Sequence, residues 1–358
     1  SLQGHGTGWC TAGESTAETQ LKGGDFYVYY SLDQEGKPTI PRAAIRMQEN
    51  PSTGLGQAIA EVRGIAEQQN LDPFIGTVVQ DKLKEFPDGK AYEKKAQDMK
   101  LLTAVENKVK NGENLSKDDL IFLYEVNTPI KGFGYQNDPR IGELRAQRNL
   151  KQDMPIVFDC TLKQIARTPY DINENTKAYA GELVPGIFQK FPDSLEHIYT
   201  SFPDRKIRRE HIDVGGKTAE ELVHELAQAD INVSYDAKII LNSRAFIADK
   251  DMESATLICL TVADLGLTRI TTYEKIYKRA EELGLELCPS DVGPHYRLKY
   301  QNQPMYERIY VGMDQIYDFH NSAKVFRLRH NPDGLLLDLD YAGTQRELES
   351  DTKFIFRL

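Results

Sequence analysis

The sequence predicts an α+β protein: a small antiparallel meander with helices, then a mixed α/β unit ending in an all-β segment. Three observations carry that expectation. Aromatic and β-branched runs separated by turn residues occupy roughly the first 66 positions. Helix-spaced apolar residues with capping signals follow to about residue 148. Runs with β character then close the chain, two of them joined by the turn sequence Asn331-Pro332-Asp333-Gly334. A chain of 358 residues exceeds one ordinary core. The expected division is residues 1–155 (meander 1–66, helical part 67–150) and residues 156–358 (α/β 156–290, mostly β 291–358).

Taken in order, a short helix over Glu14–Leu21 should end at Gly23-Gly24, where glycine accepts the left-handed backbone of a helix stop. Asp25–Ser31 reads as a strand, Asp33–Gly36 as a turn, Thr39–Gln48 as the returning strand and Ala58–Ile65 as a third. Pro41 lacks an N–H, which predicts an edge position for its strand. Helices are expected over Pro73–Phe86, over Ala91–Lys110 with the stripe Met99, Leu102, Val105 and Val109, after the capping box Ser116/Asp119, and from Asp138-Pro139. The polar stretch Asn149–Tyr179, with Pro155 and Pro169, places the boundary near 150–160.

Gly215-Gly216-Lys217-Thr218 invites comparison with a phosphate loop, but Glu210-His211 stands where the earlier glycine is required. A turn followed by a capped helix from Ala219, with Thr218 and Glu221 as the box, is the better reading. Ala255–Val262 has the composition of a buried strand. Thr271/Glu274 predicts a third box, opening a helix through Ile276, Tyr277, Ala280 and Leu283 that stops at Gly284. From Tyr296 onward YRLKY, ERIYVGM, KVFRLR, GLLLDLDY and TKFIFRL all read as β. Arg327 and Arg329 should face Asp338 and Asp340 across the hairpin, a pairing that explains those carboxylates better than a metal site does.

Composition excludes some function classes. A formal charge of −10 disfavours nucleic acid or an anionic membrane as the main partner. The basic run Arg205, Lys206, Arg208, Arg209 is read as a solvated face. Cys10, Cys160, Cys259 and Cys288 are too widely spaced for a structural metal site, so no metal and no cofactor is expected. Few cysteines, no apolar run of membrane-spanning length and no signal-peptide pattern make a cytoplasmic location the expectation. The chain opens without Met, which suggests a longer parent chain. The seven histidines are scattered. His197, His224 and His295 show no base–orienter spacing, and His224 is expected in an exposed ion pair.

The least ordinary segment is GHGTGWC. Three glycines permit close backbone approach, and Cys10 precedes a predicted helix whose N-terminus would lower a thiol pKa. Cys10 as nucleophile, His5 as base and Asp25 as orienter form one candidate arrangement, with Thr7, Trp9, Thr11, Arg42 and Arg46 as candidate ligand contacts. The competing reading places Trp9 and Cys10 in the core. Two function classes follow. One is a non-enzymatic binding or interaction protein, favoured because no titratable cluster or cofactor fingerprint stands out. The other is a transferase or hydrolase built around GTGWCT.

The runs TGWCTAG, GGDFYVYYS, PRAAIRM, AEVRGIA and GFGYQNDPRI, with HIYTSFPD, GGKTAEEL, LGLELCPSDVGPHYRLKY and QPMYE further on, resemble a family of uncharacterised bacterial proteins. The shorter core TGWCT with GDFYVY is also similar to a segment of plasmid- and phage-associated proteins of unknown function. The resemblance implies an intracellular bacterial origin and an upstream segment. It implies no activity and carries over no catalytic residue.

Overall fold

The computed structural model describes residues 18–19, 21–49, 57–64, 77–86, 88–133, 137–318 and 320–358. The chain divides into two compact units, Ser1–Arg148 and Asn149–Leu358, and the architecture is α+β, as the sequence predicts.

In the first unit β1 (Phe26–Leu32), β2 (Pro38–Glu49) and β3 (Gln57–Gly64) form an antiparallel sheet in that order. Gly24 precedes it at φ +150°, where a Cβ would come within 2.4 Å of the Met47 carbonyl oxygen. Asp33 closes the β1–β2 turn by accepting the Glu35 and Lys37 N–H groups, both at 2.9 Å. The expectation that Pro41 marks an edge strand is overturned, because β2 is central. Two features accommodate the missing N–H. β3 pairs only with Ala43–Glu49, and the β1 register slips between Tyr29↔Ala43 and Tyr30↔Pro41, leaving Arg42 as a bulge.

Ala43, Ile45, Met47, Ile59 and Val62 form one face of this sheet, packed with Leu83 and Tyr92. Those two residues come from α1 (Thr77–Leu83) and α2 (Gly89–Lys110). The Ile59 N–H donates to Asp88 Oδ2 at 2.7 Å and the Val62 N–H to the Tyr92 hydroxyl oxygen at 2.9 Å, which pins the start of α2 to β3. In the predicted stripe Leu102 and Val105 are buried, while Met99 and Val109 are half-buried. The α3 helix (Lys117–Leu123) carries the complete Ser116/Asp119 box, and α4 (Pro139–Ala146) is capped by Asp138.

The second unit opens with α5 (Leu150–Val157), inside the polar stretch that marks the boundary. Asn149 caps it through the Lys151 N–H, and burial of Met154 and Val157 offsets the bond lost at Pro155. Then come β4 (Ile165–Ala166), β5 (Ala178–Ala180), β6 (His197–Ser201), β7 (Arg205–Val214), α6 (Ala219–Gln228), β8 (Asn232–Val233) and α7 (Tyr235–Leu241). The rest is β9 (Glu253–Thr261), β10 (Thr271–Thr272), α8 (Tyr273–Leu283), α9 (Val292–Lys299), β11 (Arg308–Val311), β12 (Ile316–Tyr317), β13 (Ala323–Asn331), β14 (Gly334–Tyr341), β15 (Glu347–Leu348) and β16 (Lys353–Arg357).

One mixed sheet runs β4-β5-β6-β7-β9-β16-β11-β13-β14-β8, with β12 beside β13. The side-chain alternation of its strands gives it two covered faces. One carries Arg208, Cys259 and Phe326 beneath α9, with α6 packed on that helix. The other carries Tyr310, Phe354 and Phe356, which meet Tyr273 and Tyr277 of α8 edge-on or stack on one another.

Several expectations change here. YRLKY is helical, because Val292 to Arg297 are buried against sheet and helix together. The Thr271/Glu274 box does not form. Thr271 lies in β10 opposite Leu348, and α8 starts at Tyr273 with no side-chain cap. The basic run lies on β7 and is a solvated face only in part: Arg205 and Lys206 are exposed, whereas Arg208 and Arg209 are half-buried. The Arg208 guanidinium lies 4.4 Å from the Tyr300 ring centroid, and Arg209 donates to the Pro192 and Leu195 carbonyls. The Thr218/Glu221 box and the Gly284 stop form as predicted. So does the hairpin pairing. Arg327 donates to Asp338 and Asp340 at 2.6 Å each, and Arg329 to Asp338 at 3.0 Å. Among the described residues no helix is long and apolar enough to cross a membrane.

Candidate functional site

Of the residues singled out in the N-terminal segment, His5, Thr7, Trp9, Cys10 and Thr11 lie outside the described residues. Asp25, Arg42 and Arg46 are described. The Asp25 carbonyl accepts the Met47 N–H at 2.7 Å, and Arg46 pairs with Phe26 at the same end of the β1–β2 ladder. Arg42 sits at the bulge near the far end, its Nε donating to Ser31 Oγ at 2.9 Å. Five residues of strand, roughly 17 Å, separate Arg42 from Asp25. Arg46 is at the Asp25 end of the ladder but pairs with Phe26, so the alternation puts it on the face opposite Asp25, and the sheet brings neither arginine side chain to that carboxylate.

A different constellation emerges in the second unit. Three segments enclose a cavity of about 290 Å³: Ala245–Asp249 after α7, Cys288–Asp291 leading into α9, and Met313–Ile316 between β11 and β12. Each wall is held by bonds to its neighbours. Ser290 Oγ donates to the Ile247 carbonyl at 2.9 Å and accepts the Ile247 N–H at 3.2 Å, lacing the first two segments together. The Cys288 N–H donates to the Gly312 carbonyl at 2.7 Å. The Tyr277 hydroxyl donates to the Met313 carbonyl at 3.0 Å, and Gln315 Nε2 to the Ala342 carbonyl at 2.6 Å.

Asp291 is the unusual residue of this lining. It occupies the N-cap position of α9, yet its backbone is already α-helical and its side chain makes no capping bond. The residue is 1% exposed. Oδ2 accepts the Asp249 N–H at 3.2 Å, while Oδ1 is buried with no hydrogen-bond partner. Burial raises the carboxyl above its usual pKa. The Asp249 N–H and His295 oppose that rise, and the Asp249 charge adds to it.

One helical turn on, His295 is 6% exposed and its Nε2 is likewise buried and unpartnered. Burial lowers its pKa, Asp291 and Glu225 act to raise it, and Lys217 to lower it. Lys217 itself is paired with Glu225 at 2.6 Å. The expectation that His295 has no partner at helix or strand spacing is overturned. In α9, Asp291 stands four residues before it.

The other reactive groups nearby are not activated. Burial pushes the Cys288 thiol far above its usual pKa, which removes the thiolate a nucleophile needs. The Ser290 hydroxyl is engaged on both sides by Ile247. His224, expected in an ion pair, meets Gln228 Nε2 at 2.9 Å instead.

The sequence reading missed Asp249, Asp291 and Asp314. The available signal was Asp291 four residues ahead of His295, within CPSDVGPH, which reads as one helix face once the segment is taken as helical. Asp249 and Asp314 have no such signal, since each sits on a loop that only the sheet order brings to Asp291. Among the described residues no three His, Cys, Asp or Glu side chains converge closely enough to hold a metal ion. Comparison with known proteins gives no match, whether to a family model, a curated protein or a solved structure.

Proposed function

We propose that this chain is a non-enzymatic binding protein, of the intracellular bacterial kind its sequence resembles, and that the cavity beside Asp291 takes a small ligand. One observation carries the reading. A carboxyl group 1% exposed lines a cavity with one oxygen unpartnered. A buried acceptor left without a donor costs about 1–3 kcal/mol, so this wall of the cavity is its least satisfied part. Binding is favoured over catalysis because the neighbouring thiol is held protonated and the neighbouring hydroxyl is already bonded.

The test is a ligand-observed and methyl-observed NMR screen of small polar molecules on the full chain. Ligands should shift the methyl signals of Ile247, Met313 and Ile316. Ala245→Trp, which places a large ring at the exposed rim, should abolish those shifts. A screen whose only hits move signals elsewhere, or move them equally in the Trp variant, removes the reading.

A further inference from the structure

We propose that the large sheet of the second unit binds a phosphate group between Arg308 of β11 and Arg329 of β13. This site is separate from the Asp291 cavity and stands or falls without it.

Arg308 and Arg329 are direct partners in the antiparallel β11–β13 ladder, which puts both side chains on one face of the sheet. It is the face that also carries Tyr310 and Arg327, the next pair along the same two strands. His330 exchanges backbone bonds with Tyr306 and Glu307, which lead into β11, so Arg329 turns its own N–H and C=O toward β14. Arg308 and Arg329 therefore form a non-hydrogen-bonded pair, the type in which side chains stand closer. Their Cβ atoms lie about 5 Å apart, and like charges placed directly opposite destabilise a sheet. This row is open to solvent: Arg308 is exposed, and Arg329 and its β14 neighbour Leu336 are half-buried.

The carboxylates of this face do not neutralise the pair. Asp338 accepts from Arg327 at 2.6 Å and from Arg329 at 3.0 Å. Asp340 accepts from Arg327 at 2.6 Å and from Arg346 at 3.3 Å. Three guanidiniums already share two carboxylates, and Arg329 spends only Nη1 on Asp338. Arg308 has no side-chain hydrogen bond or ion pair among the described residues. With Arg308 included, the cluster holds two positive charges beyond its carboxylates, in a chain whose formal charge is −10. A phosphate monoester matches that excess, bringing up to two negative charges and three strong acceptor oxygens. Guanidinium forks bind such oxygens bidentately, and the anion would turn the repulsion across the ladder into attraction. A carboxylate would leave one charge over. The same group occurs in inorganic phosphate, in small phosphate esters and on a phosphorylated serine.

Titration calorimetry on the full chain tests this at constant ionic strength and at about pH 7.5, where the group is close to doubly charged. The probes are inorganic phosphate, acetate and a phosphoserine capped as its N-acetyl methylamide. Phosphate is expected to bind about tenfold more tightly than acetate. Arg308→Gln should remove about that factor, and Arg308→Lys should restore only part of it, because lysine keeps the charge without the fork. Arg244→Gln removes the same charge from another exposed position and should leave phosphate binding unchanged. Thermal unfolding gives a second readout. Phosphate should raise the parent's midpoint above that in sodium chloride of equal ionic strength. Arg308→Gln, relieved of the repulsion, should be no less stable than the parent without phosphate and should gain nothing from adding it. Capped phosphoserine matching phosphate points to a protein-borne group, and a much weaker response points to a free phosphate or small ester; both sustain the site. Phosphate that does not bind, acetate that binds as tightly, or equal losses in Arg308→Gln and Arg244→Gln would each overturn the proposal. Ala245→Trp should bind phosphate as the parent does, so failure here leaves the cavity reading untouched.

Discussion

Asp291, which is buried, and Arg327, which is half-buried, show how differently two ionic residues can be handled in one unit. Asp291 has a raised pKa in the folded state. Its favourable contribution is therefore complete below the unfolded carboxyl value of about 3.9 and is lost as pH rises through the folded value. Asp291→Asn should flatten that fall and leave the chain about 1–2 kcal/mol more stable at pH 7. Urea unfolding between pH 4 and pH 8 measures the difference. A variant less stable than the parent throughout would show that the carboxylate is already satisfied. His295 runs the other way: with its pKa lowered, its contribution is present above about pH 6.5 and disappears on acidification. Asp249, Lys217 and Glu225 are the other charged groups acting on this pair, so the parent curve carries both slopes.

Arg327 instead completes a network with Asp338 and Asp340, which Arg329 and Arg346 extend. Burial alone would raise Asp338, but hydrogen bonds from Arg327 and Arg329 outweigh it and hold the carboxyl below its usual range. Its contribution is present above about pH 4 and is lost in acid. Arg327→Met removes both 2.6 Å bonds and leaves Asp338 to Arg329 and Asp340 to Arg346, so a loss of about 2 kcal/mol is expected in denaturant unfolding at pH 7.

At the scale of single elements, local chemistry decided where local partners suffice. Ser116 with Asp119 and Thr218 with Glu221 are legible because a box needs only four consecutive residues, and both form. Ser116→Ala should cost about 1 kcal/mol in chemical unfolding. Thr272→Ala should cost clearly less, since Thr272 makes no capping bond to α8. Elements whose sequence conflicts with their setting were not legible. YRLKY alternates like a strand, yet α9 is covered by α6 on one side and by β7, β13 and β14 on the other. A helix buried all round has no amphipathic stripe to read. Pro41 was misplaced for a related reason. A proline breaks a ladder only where its N–H is needed, and β3 stops short of it.

On the scale of the whole molecule, two units each carry an apolar core. The second is the larger, and its cluster runs from Ala166 to Phe356 through every strand of the central sheet. Residues 149–358 expressed alone should therefore fold, with far-UV circular dichroism of a mixed α/β unit and a single cooperative unfolding transition. A fragment that melts without a transition would show that its core is incomplete.

The sequence by itself determined the α+β class, the meander, the capped helices, the Asn331–Gly334 hairpin and the Arg–Asp pairing across it. Each depends on residues a few positions apart, so local spacing is enough. Tertiary structure decided the rest: that β7 pairs with β9, that β16 inserts between β9 and β11, and that three loops meet at Asp291. Strand order and loop convergence depend on burial shared between residues more than twenty positions apart, and no local pattern records which distant surface a segment will cover.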